Sequence, residues 1–536
     1  MAPSDVLVLE DLGQQHLQAR TLAAALRGAG FRVTLADFGA GCDIAEIVAL
    51  AERTLPKLAL LSILFAHRLP EHFALARELR AAGSRAHLSM CGQLPTFAYA
   101  ELLSACPELD SVLRGDAIAA APRLAASVHD PALWQEIPGL AYRRDPRGGQ
   151  GRVEVVCAGA LQAPAAEFDA FPFPARDGGL AILPLGAGGH VFPATHGDGG
   201  LIRYATVESS RGCYHACTFC LPRAVARACG GPCYRQRSAG NLADEIEGLY
   251  GLGGRLYLFD DEQFLPPAGA RHERVETLAS ELERRGLEIA FTIKCRADDV
   301  EPGLFRRLKR MGLIRAYVGI ESGCQRSLDL FGKGTAPERN TAALETLAGL
   351  GIVADFRCLM FHPWSTLETI GEEIRFLERV LPVVPTLYSF REVELYPGTP
   401  LARRWQVEQG AGEGPCSVRQ YIIVDRSAEL LRRLSRLLFG DAGPLPQAAE
   451  RLSQAWFRLL VRERLEPAGR DAGRAQRLKA IAARANAQAL AIWCEMLRFA
   501  GEGDYYDAGC VNEMAARWAA QESIACSRAM AEMVES

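Results

Sequence analysis

No run of this chain approaches the roughly 20 apolar residues that a membrane-crossing helix needs, so no membrane partner is expected. The opening Met1-Ala-Pro-Ser-Asp5 has neither the charged nor the apolar region of a secretory signal. A disulfide framework is therefore not expected, and sixteen cysteines point to a reducing cytoplasm. Charge is nearly balanced: 60 Lys and Arg against 64 Asp and Glu leave a net −4. That offers nucleic acid no basic face, so no nucleic-acid partner is expected. No internal repeat is found. What is present is ordinary for a soluble globular protein, with 49% hydrophobic and 23% charged residues. At 536 residues there is chain enough for about three or four domains.

The cysteines are not spread evenly. Arg211-Gly212-Cys213-Tyr214-His215-Ala216-Cys217-Thr218-Phe219-Cys220 sets three of them at C-x3-C-x2-C spacing, after a strand-like run from Tyr204 to Glu208. Three thiolates on one short loop can hold three irons of a [4Fe–4S] cube and leave the fourth open. A tetrahedral zinc site is the competing reading, its fourth ligand coming from Cys229, Cys233 or His215. Cys229-Gly-Gly-Pro-Cys233 alone is a weak metal signal and reads as free thiols on a loop. The three-cysteine spacing, with aromatic Phe219 just before the last cysteine, resembles the signature of the radical S-adenosylmethionine (SAM) enzymes. The resemblance implies a catalytic cluster with Cys213, Cys217 and Cys220 as its metal ligands. It also implies that SAM binds the open iron through its amino and carboxylate groups.

Residues 1–145 carry five short apolar runs, Asp5–Leu9, Gly30–Leu35, Leu58–Phe65, Ala86–Met90 and Ser111–Arg114, separated by helical patterns. This alternation predicts an α/β domain with a doubly wound parallel sheet. Ligands of such sheets lie beyond the carboxyl ends of the strands. That places Glu10–Gly13, Ala66–Arg68, Cys91–Thr96 and Gly115-Asp116 around one crevice. Cys91-Gly92-Gln93-Leu94-Pro95-Thr96 and Arg114-Gly115-Asp116 resemble two loops of the Rossmann-like cobalamin-binding domain fused to many radical SAM enzymes. Those loops typically read Gly-Gly-x-x-x-Thr and Arg-Gly-Glu; Cys91 and Asp116 are departures. The resemblance implies cobalamin as a cofactor, with Gly13, Ser62, His67, Arg68, Gly92, Thr96 and Gly115 as binding residues. The Asp-x-His-x-x-Gly motif that supplies an axial histidine elsewhere is absent; Asp11 and His16 are the nearest pair, at the wrong spacing. His67 and Arg68 are candidates to face the cobalt from below, against a plain loop role.

Residues 146–200 read as a linker, with a turn-rich Arg147–Gly151 and a Gly-rich end. Within it Asp169–Asp177 resembles the family's Pro-Phe-Pro-x-Arg-Asp connector. Residues 201–395 carry six strand signals: Tyr204–Glu208, Leu256–Phe259, Ile289–Lys294, Ala316–Ile320, Ile352–Met360 and Thr386–Glu394. With intervening helices they predict a (βα)6 partial TIM barrel whose chemistry lies at the strands' carboxyl ends. Asp260-Asp261, Arg296 and Glu321-Ser322 follow the second, third and fourth strands. Taken singly, each reads equally as a helix cap or a loop charge. Together they match the family patterns Asp-Asp-x-x-Phe, x-x-Arg-Ala-Asp and Gly-Ile-Glu-Ser-Gly. The match implies Asp260 or Asp261 on the α-ammonium of SAM, Arg296 paired with its α-carboxylate, and Glu321 and Ser322 on its ribose. Phe361-His362-Pro363-Trp364-Ser365-Thr366 departs from the usual Gly-x-Pro-x-Glu-Thr, leaving Phe361, His362 and Trp364 as pocket wall or plain packing.

Residues 396–536 form a small helical domain by periodicity, carried by Leu430, Leu431, Leu434, Leu437 and Leu438, then Leu452 and Trp456, then Trp493 and Met496. Tyr505 and Tyr506 read as site residues or packing. The resemblance spans roughly residues 1–400 and implies a cobalamin-dependent radical SAM methyltransferase of natural-product biosynthesis. Such an enzyme methylates an unactivated carbon of a small molecule or peptide through a 5′-deoxyadenosyl radical and methylcobalamin. An electron donor such as flavodoxin or ferredoxin feeds it. The alternatives are a cyclase, ring-contraction or rearrangement enzyme without methyl transfer, and a non-catalytic cobalamin or redox sensor. A tRNA methylthiotransferase is weaker, because no RNA-binding appendage is evident.

Overall fold

A computed structural model gives the fold. It describes all residues except 1–2, 12–15, 40, 145–153, 159–160, 162–167, 178–179, 185–200, 385–389, 410–417, 419–420, 440–443, 467–471, 503–507 and 536. Gly13, the Arg147–Gly151 turn, Tyr505 and Tyr506 thus lie outside the described residues. The chain forms two compact units that interleave in sequence. One holds residues 1–180, 206–245 and 394–420; the other holds 181–205, 246–393 and 421–536.

In the first unit β1 (Val6–Glu10), β2 (Val33–Asp37), β3 (Leu58–Ser62), β4 (His87–Cys91) and β5 (Ser111–Leu113) pair in parallel, in the order β2-β1-β3-β4-β5. Helices α1 (Leu17–Gly28), α2 (Ile44–Thr54), α3 (Leu69–Ala81), α4 (Gln93–Ala105) and α5 (Ala117–Ser127) alternate with them. Side chains alternate across a strand. Leu7 and Leu9 therefore pack with Ile47, Leu75 and Leu102, while Val6 and Val8 pack with Leu22, Leu26 and Leu124. Both faces are covered, which is why the strands read as unbroken apolar runs. The doubly wound sheet expected from the sequence is the one that forms. An antiparallel pair, β6 (Leu140–Arg143) and β7 (Val155–Cys157), extends it beyond β5. These strands are too short to leave a period in the sequence.

The chain continues through β8 (Ala181–Pro184), β9 (Leu201–Val207), β10 (Ser210–Gly212), α6 (Leu221–Cys229), β11 (Tyr234–Gln236) and α7 (Ala239–Gly251). Next come β12 (Gly254–Phe259), α8 (Arg271–Arg284), β13 (Ala290–Arg296), α9 (Pro302–Met311), β14 (Leu313–Glu321), α10 (Gln325–Leu330) and α11 (Pro337–Gly349). β15 (Val353–Phe361), α12 (Leu367–Val380) and β16 (Phe390–Glu392) complete the second sheet. Its order is β16-β15-β14-β13-β12-β9-β8, with β12 to β16 parallel and β8 antiparallel on β9. This is the partial barrel expected from the sequence, with β8 added at one edge. The sixth expected strand, 386–394, is described only from Phe390 onward.

After α13 (Pro400–Gln409) the chain is helical: α14 (Arg426–Phe439), α15 (Pro444–Leu465), α16 (Ala472–Gly501) and α17 (Ala508–Glu535). Trp493 is fully buried and stacks on Phe439 at 5.4 Å. Leu437, counted in the apolar repeat, is 70% exposed, because Glu429, Arg432 and Ser435 take inward positions of α14. Among the described residues no helix is long and apolar enough to cross a membrane.

Two buried histidines make the first unit acid-sensitive. Burial holds His16 and His87 down to about 4, and His87 shares a 2.8 Å hydrogen bond with Ser111 Oγ. Their folded values lie below the unfolded 6.5, so the stability from keeping them neutral is present above pH 6.5 and lost as pH falls toward 4. Each costs about 1.4 kcal/mol per pH unit in that window. Thermal unfolding midpoints of the native chain should accordingly fall more steeply between pH 6.5 and 4.5 than those of His87→Gln.

Candidate functional site

The three cysteines of the motif lie on the loop between β10 and α6, all half-buried and none in a disulfide. The antiparallel β10–β11 hairpin supports the loop. Its entry requires glycine: Gly212 has φ +85°, and a Cβ there would fall 2.3 Å from the Cys233 carbonyl oxygen. Arg223 Nη1 donates to Tyr214 O at 2.6 Å, and Leu401 N donates to Thr218 O at 2.9 Å, strapping the loop from two sides. Cys220 is the N-cap residue of α6, where the exposed amides favour a thiolate. Among the described residues no three His, Cys, Asp or Glu side chains converge on one point as ligands of a single ion would. A cube takes its thiolates on separate irons, and three half-buried free cysteines on one loop are donors of the kind it needs. Cys229 is a poor fourth zinc ligand, because burial pushes its thiol up and holds it neutral.

At the carboxyl edge of the first sheet, Gly92 has φ +136°, and a Cβ there would lie 2.4 Å from Ile63 O. Thr96 Oγ1 donates to Gly92 O and accepts from Gly115 N, both at 2.9 Å, so it ties the loops after β4 and β5 together. The two glycines and Thr96 are all buried, so these loops are fixed at the strands' carboxyl edge, where ligands of such sheets bind. Ser62 lies beneath, 3.1 Å from His16 Nε2, and His16 Nδ1 accepts from Asp11 N at 2.8 Å. Both ring nitrogens of His16 are therefore engaged within the protein. Arg68 is buried, 3.5 Å from Asp11 and bonded to Phe38 O, whereas His67 is exposed and stacks on Phe65.

Asp116 joins this edge to the cysteine loop. It caps α5 through Ile118 N, and its other oxygen lies 3.6 Å from Arg211 and 3.7 Å from Arg235, both on the hairpin. Phe168 and Phe171 lie under the two guanidinium groups at 5.1–5.6 Å. The connector is thus more than a spacer: Arg176 pairs with Glu245 at 2.7 Å, and Asp177 binds Arg27. None of these partners was legible in the sequence beyond the connector motif, because the pairs lie many residues apart.

In the second unit the remaining candidates sit at strand ends. Asp260 is half-exposed and paired with Lys294, while Asp261 is fully buried. Arg296 ends β13, with Nε donating to Asp298 at 2.8 Å and Nη2 donating to Lys333 O. Glu321 ends β14 and accepts from Lys333 Nζ at 3.0 Å. Its φ of +63° is a left-handed conformation that costs a non-glycine residue roughly 1–2 kcal/mol. Ser322 is fully buried and donates to Glu373, so its hydroxyl is turned into the protein. His362 is equally engaged, by Ser327 Oγ at 3.2 Å and Trp364 N at 3.2 Å, and Phe361 is buried against Trp493. Those two rings pack the fold.

The sequence matches the B12 binding domain family over residues 13–125 and the radical SAM superfamily over residues 207–377. The chain thus carries a B12 binding domain and a radical SAM domain, the pairing found in cobalamin-dependent radical SAM enzymes. Cobalamin, SAM and a [4Fe–4S] cluster are the cofactors these two domains carry. A curated relative, the 4′-phospho-dehydrooxetanocin synthase of Priestia megaterium, is 32% identical over 192 residues, covering 32% of this chain and 26% of the relative. The alignment thus spans about a quarter of that protein's length. Among solved structures, the cobalamin-dependent SAM radical enzyme OxsB with aqua-cobalamin and SAM bound has a TM-score of 0.67 at 18% identity. That match covers 97% of this chain and 84% of OxsB. The radical SAM methyltransferase TsrM from Kitasatospora setae, with tryptophan and a SAM analogue bound, has a TM-score of 0.57 at 16% identity, over 85% of this chain and 89% of TsrM. At these identities both structures speak for the shared fold.

Two sets of substitutions check the site. Ala at Cys213, Cys217 or Cys220 should abolish the visible absorbance of the reconstituted cluster, while Cys229→Ala and Cys233→Ala should keep it. Gly92→Ala, forced into a positive φ against the Ile63 carbonyl, should weaken hydroxocobalamin binding at least about tenfold, read by equilibrium dialysis.

Proposed function

We propose that the chain is a cobalamin-dependent radical SAM methyltransferase acting on an unactivated carbon of a small-molecule or peptide substrate. The observation that carries this reading is the Asp116 junction: one carboxylate ties the loops of the cobalamin-type domain to the hairpin that presents the cluster cysteines. Together the cofactors supply a 5′-deoxyadenosyl radical for hydrogen abstraction and a methyl group for the carbon left behind. The chain's part is to hold and orient. Cys213, Cys217 and Cys220 hold the cluster. Gly92, Thr96 and Gly115 fix the loops that receive the corrin, and Glu321 hydrogen-bonds the ribose of SAM. Arg296, already fixed by Asp298 and Lys333 O, places positive charge for the α-carboxylate, and Asp260 or Asp261 receives the α-ammonium. Flavodoxin or ferredoxin is the proposed electron source.

A ring-forming or rearrangement reaction is the second reading, favoured by the 32% identity to a protein named as a dehydrooxetanocin synthase. One anaerobic assay separates them. With reductant, SAM, hydroxocobalamin and candidate substrates, methyl transfer yields both 5′-deoxyadenosine and S-adenosylhomocysteine and a product heavier by one methylene unit. Deoxyadenosine without S-adenosylhomocysteine or added mass would replace the methyltransferase with the second reading.

A further inference from the structure

The end of β14 is held in place by more than a strand needs. β14 carries a bulge there: Val318 pairs with Phe356, but Glu321, three residues on, pairs with Cys358, two residues on. Such a bulge re-aims the side chain that follows it. Glu321 emerges from it in the left-handed region, which a non-glycine residue keeps only when its surroundings impose it.

Two buried polar side chains impose it. Asn340 of α11, fully buried, donates its amide to Ile320 O at 3.2 Å and to Ser322 O at 2.9 Å, the carbonyls on either side of Glu321. Glu373 of α12, 1% exposed, takes Gly323 N at 2.7 Å on one oxygen and the Ser322 hydroxyl on the other. Both acceptors of one carboxylate thus serve the turn that follows Glu321. Position 373 lies among the buried Ile370, Ile374 and Leu377, where packing alone would place an apolar residue. Burial also pushes Glu373 up to about 7, a cost that packing alone would not incur. α12 presses close: a Cβ on Gly323 would fall 2.1 Å from Phe376 Cβ. On the other side, Lys333 Nζ would lie 2.8 Å from a Cβ on Gly319, so bare backbone there leaves room for the ammonium that meets Glu321.

We infer that Glu373 and Asn340 are positioning residues for Glu321, holding its carboxylate in the left-handed turn for the ribose hydroxyls of SAM. The inference rests on the reading of Glu321 proposed above and extends it to two residues that touch no cofactor.

The test is equilibrium dialysis of SAM against the cluster-loaded full chain without reductant, so that binding is read apart from turnover. Glu373→Gln presents an amide that cannot accept on both sides, and Asn340→Ala frees both carbonyls. Each should weaken SAM binding about tenfold or more at unchanged iron content and with a cooperative thermal transition retained. Glu321→Ala should weaken it comparably, and adding Glu373→Gln to Glu321→Ala should cost nothing more, because the second residue acts through the first. Full additivity in that double variant would overturn the inference. So would native affinity in both Glu373→Gln and Asn340→Ala while Glu321→Ala is weakened. Native affinity in Glu321→Ala would instead remove the reading of Glu321 and the inference with it. If Glu373→Gln does not fold, Asn340→Ala carries the same comparison and the same double variant.

Discussion

Parallel pairing is the constraint from which the rest follows. When neighbouring strands run the same way and are joined by helices, every segment that leaves a strand's carboxyl end emerges at one edge of the sheet. The first sheet gathers Glu10, Ser62, Gly92 and Gly115 in this way; the second gathers Asp260, Arg296 and Glu321. Residues separated by up to about a hundred positions become neighbours without any local signal. The strands themselves are apolar and interchangeable, so chemistry is left to the first residues beyond them.

Fixing those residues is a matter of buried charge. A carboxylate removed from water is tolerable only when its oxygens are matched by donors. Glu10 is buried against Arg20 with two hydrogen bonds of 2.7–2.8 Å, and Arg20 reaches on to Ala175 O in the connector. Asp299 is fully buried and takes Arg296 N, Gln263 and Arg271 Nη2 at 2.6–2.9 Å. Asp116 differs: one oxygen accepts from Ile118 N, and the other faces two arginines at 3.6–3.7 Å, so charge rather than a hydrogen bond holds it to the cysteine loop. For Glu10 and Asp299 the ion pair adds little to stability as such and a good deal to geometry, because charged partners with satisfied hydrogen bonds have few alternative arrangements.

Much of this was legible before any coordinates. The C-x3-C-x2-C motif was visible because iron–sulfur ligation depends on local spacing, and Asp260, Arg296 and Glu321 stand at strand ends because an apolar run followed by a charged residue is a local pattern. What was not legible has a common cause. Ser62 and Ser322 looked available to a cofactor and are bonded to His16 and Glu373, partners 46 and 51 residues away. His362 looked like a pocket ring and is fixed by Ser327. β6, β7 and β8 were missed because three or four residues carry no period.

Periodicity and spacing alone specified the parallel strands of both sheets, the helical tail and the two family-model matches. Each is written in periodicity or in spacing over a few residues, and such patterns are fixed by covalent geometry. The tertiary structure alone decided which polar side chains are spoken for. It turned Ser322 inward and placed Glu373 and Asn340 around Glu321. It also brought Asp116 between Arg211 and Arg235. Those choices depend on which helix packs on which loop, and on the need of every buried polar atom for a partner, conditions that no stretch of sequence states locally.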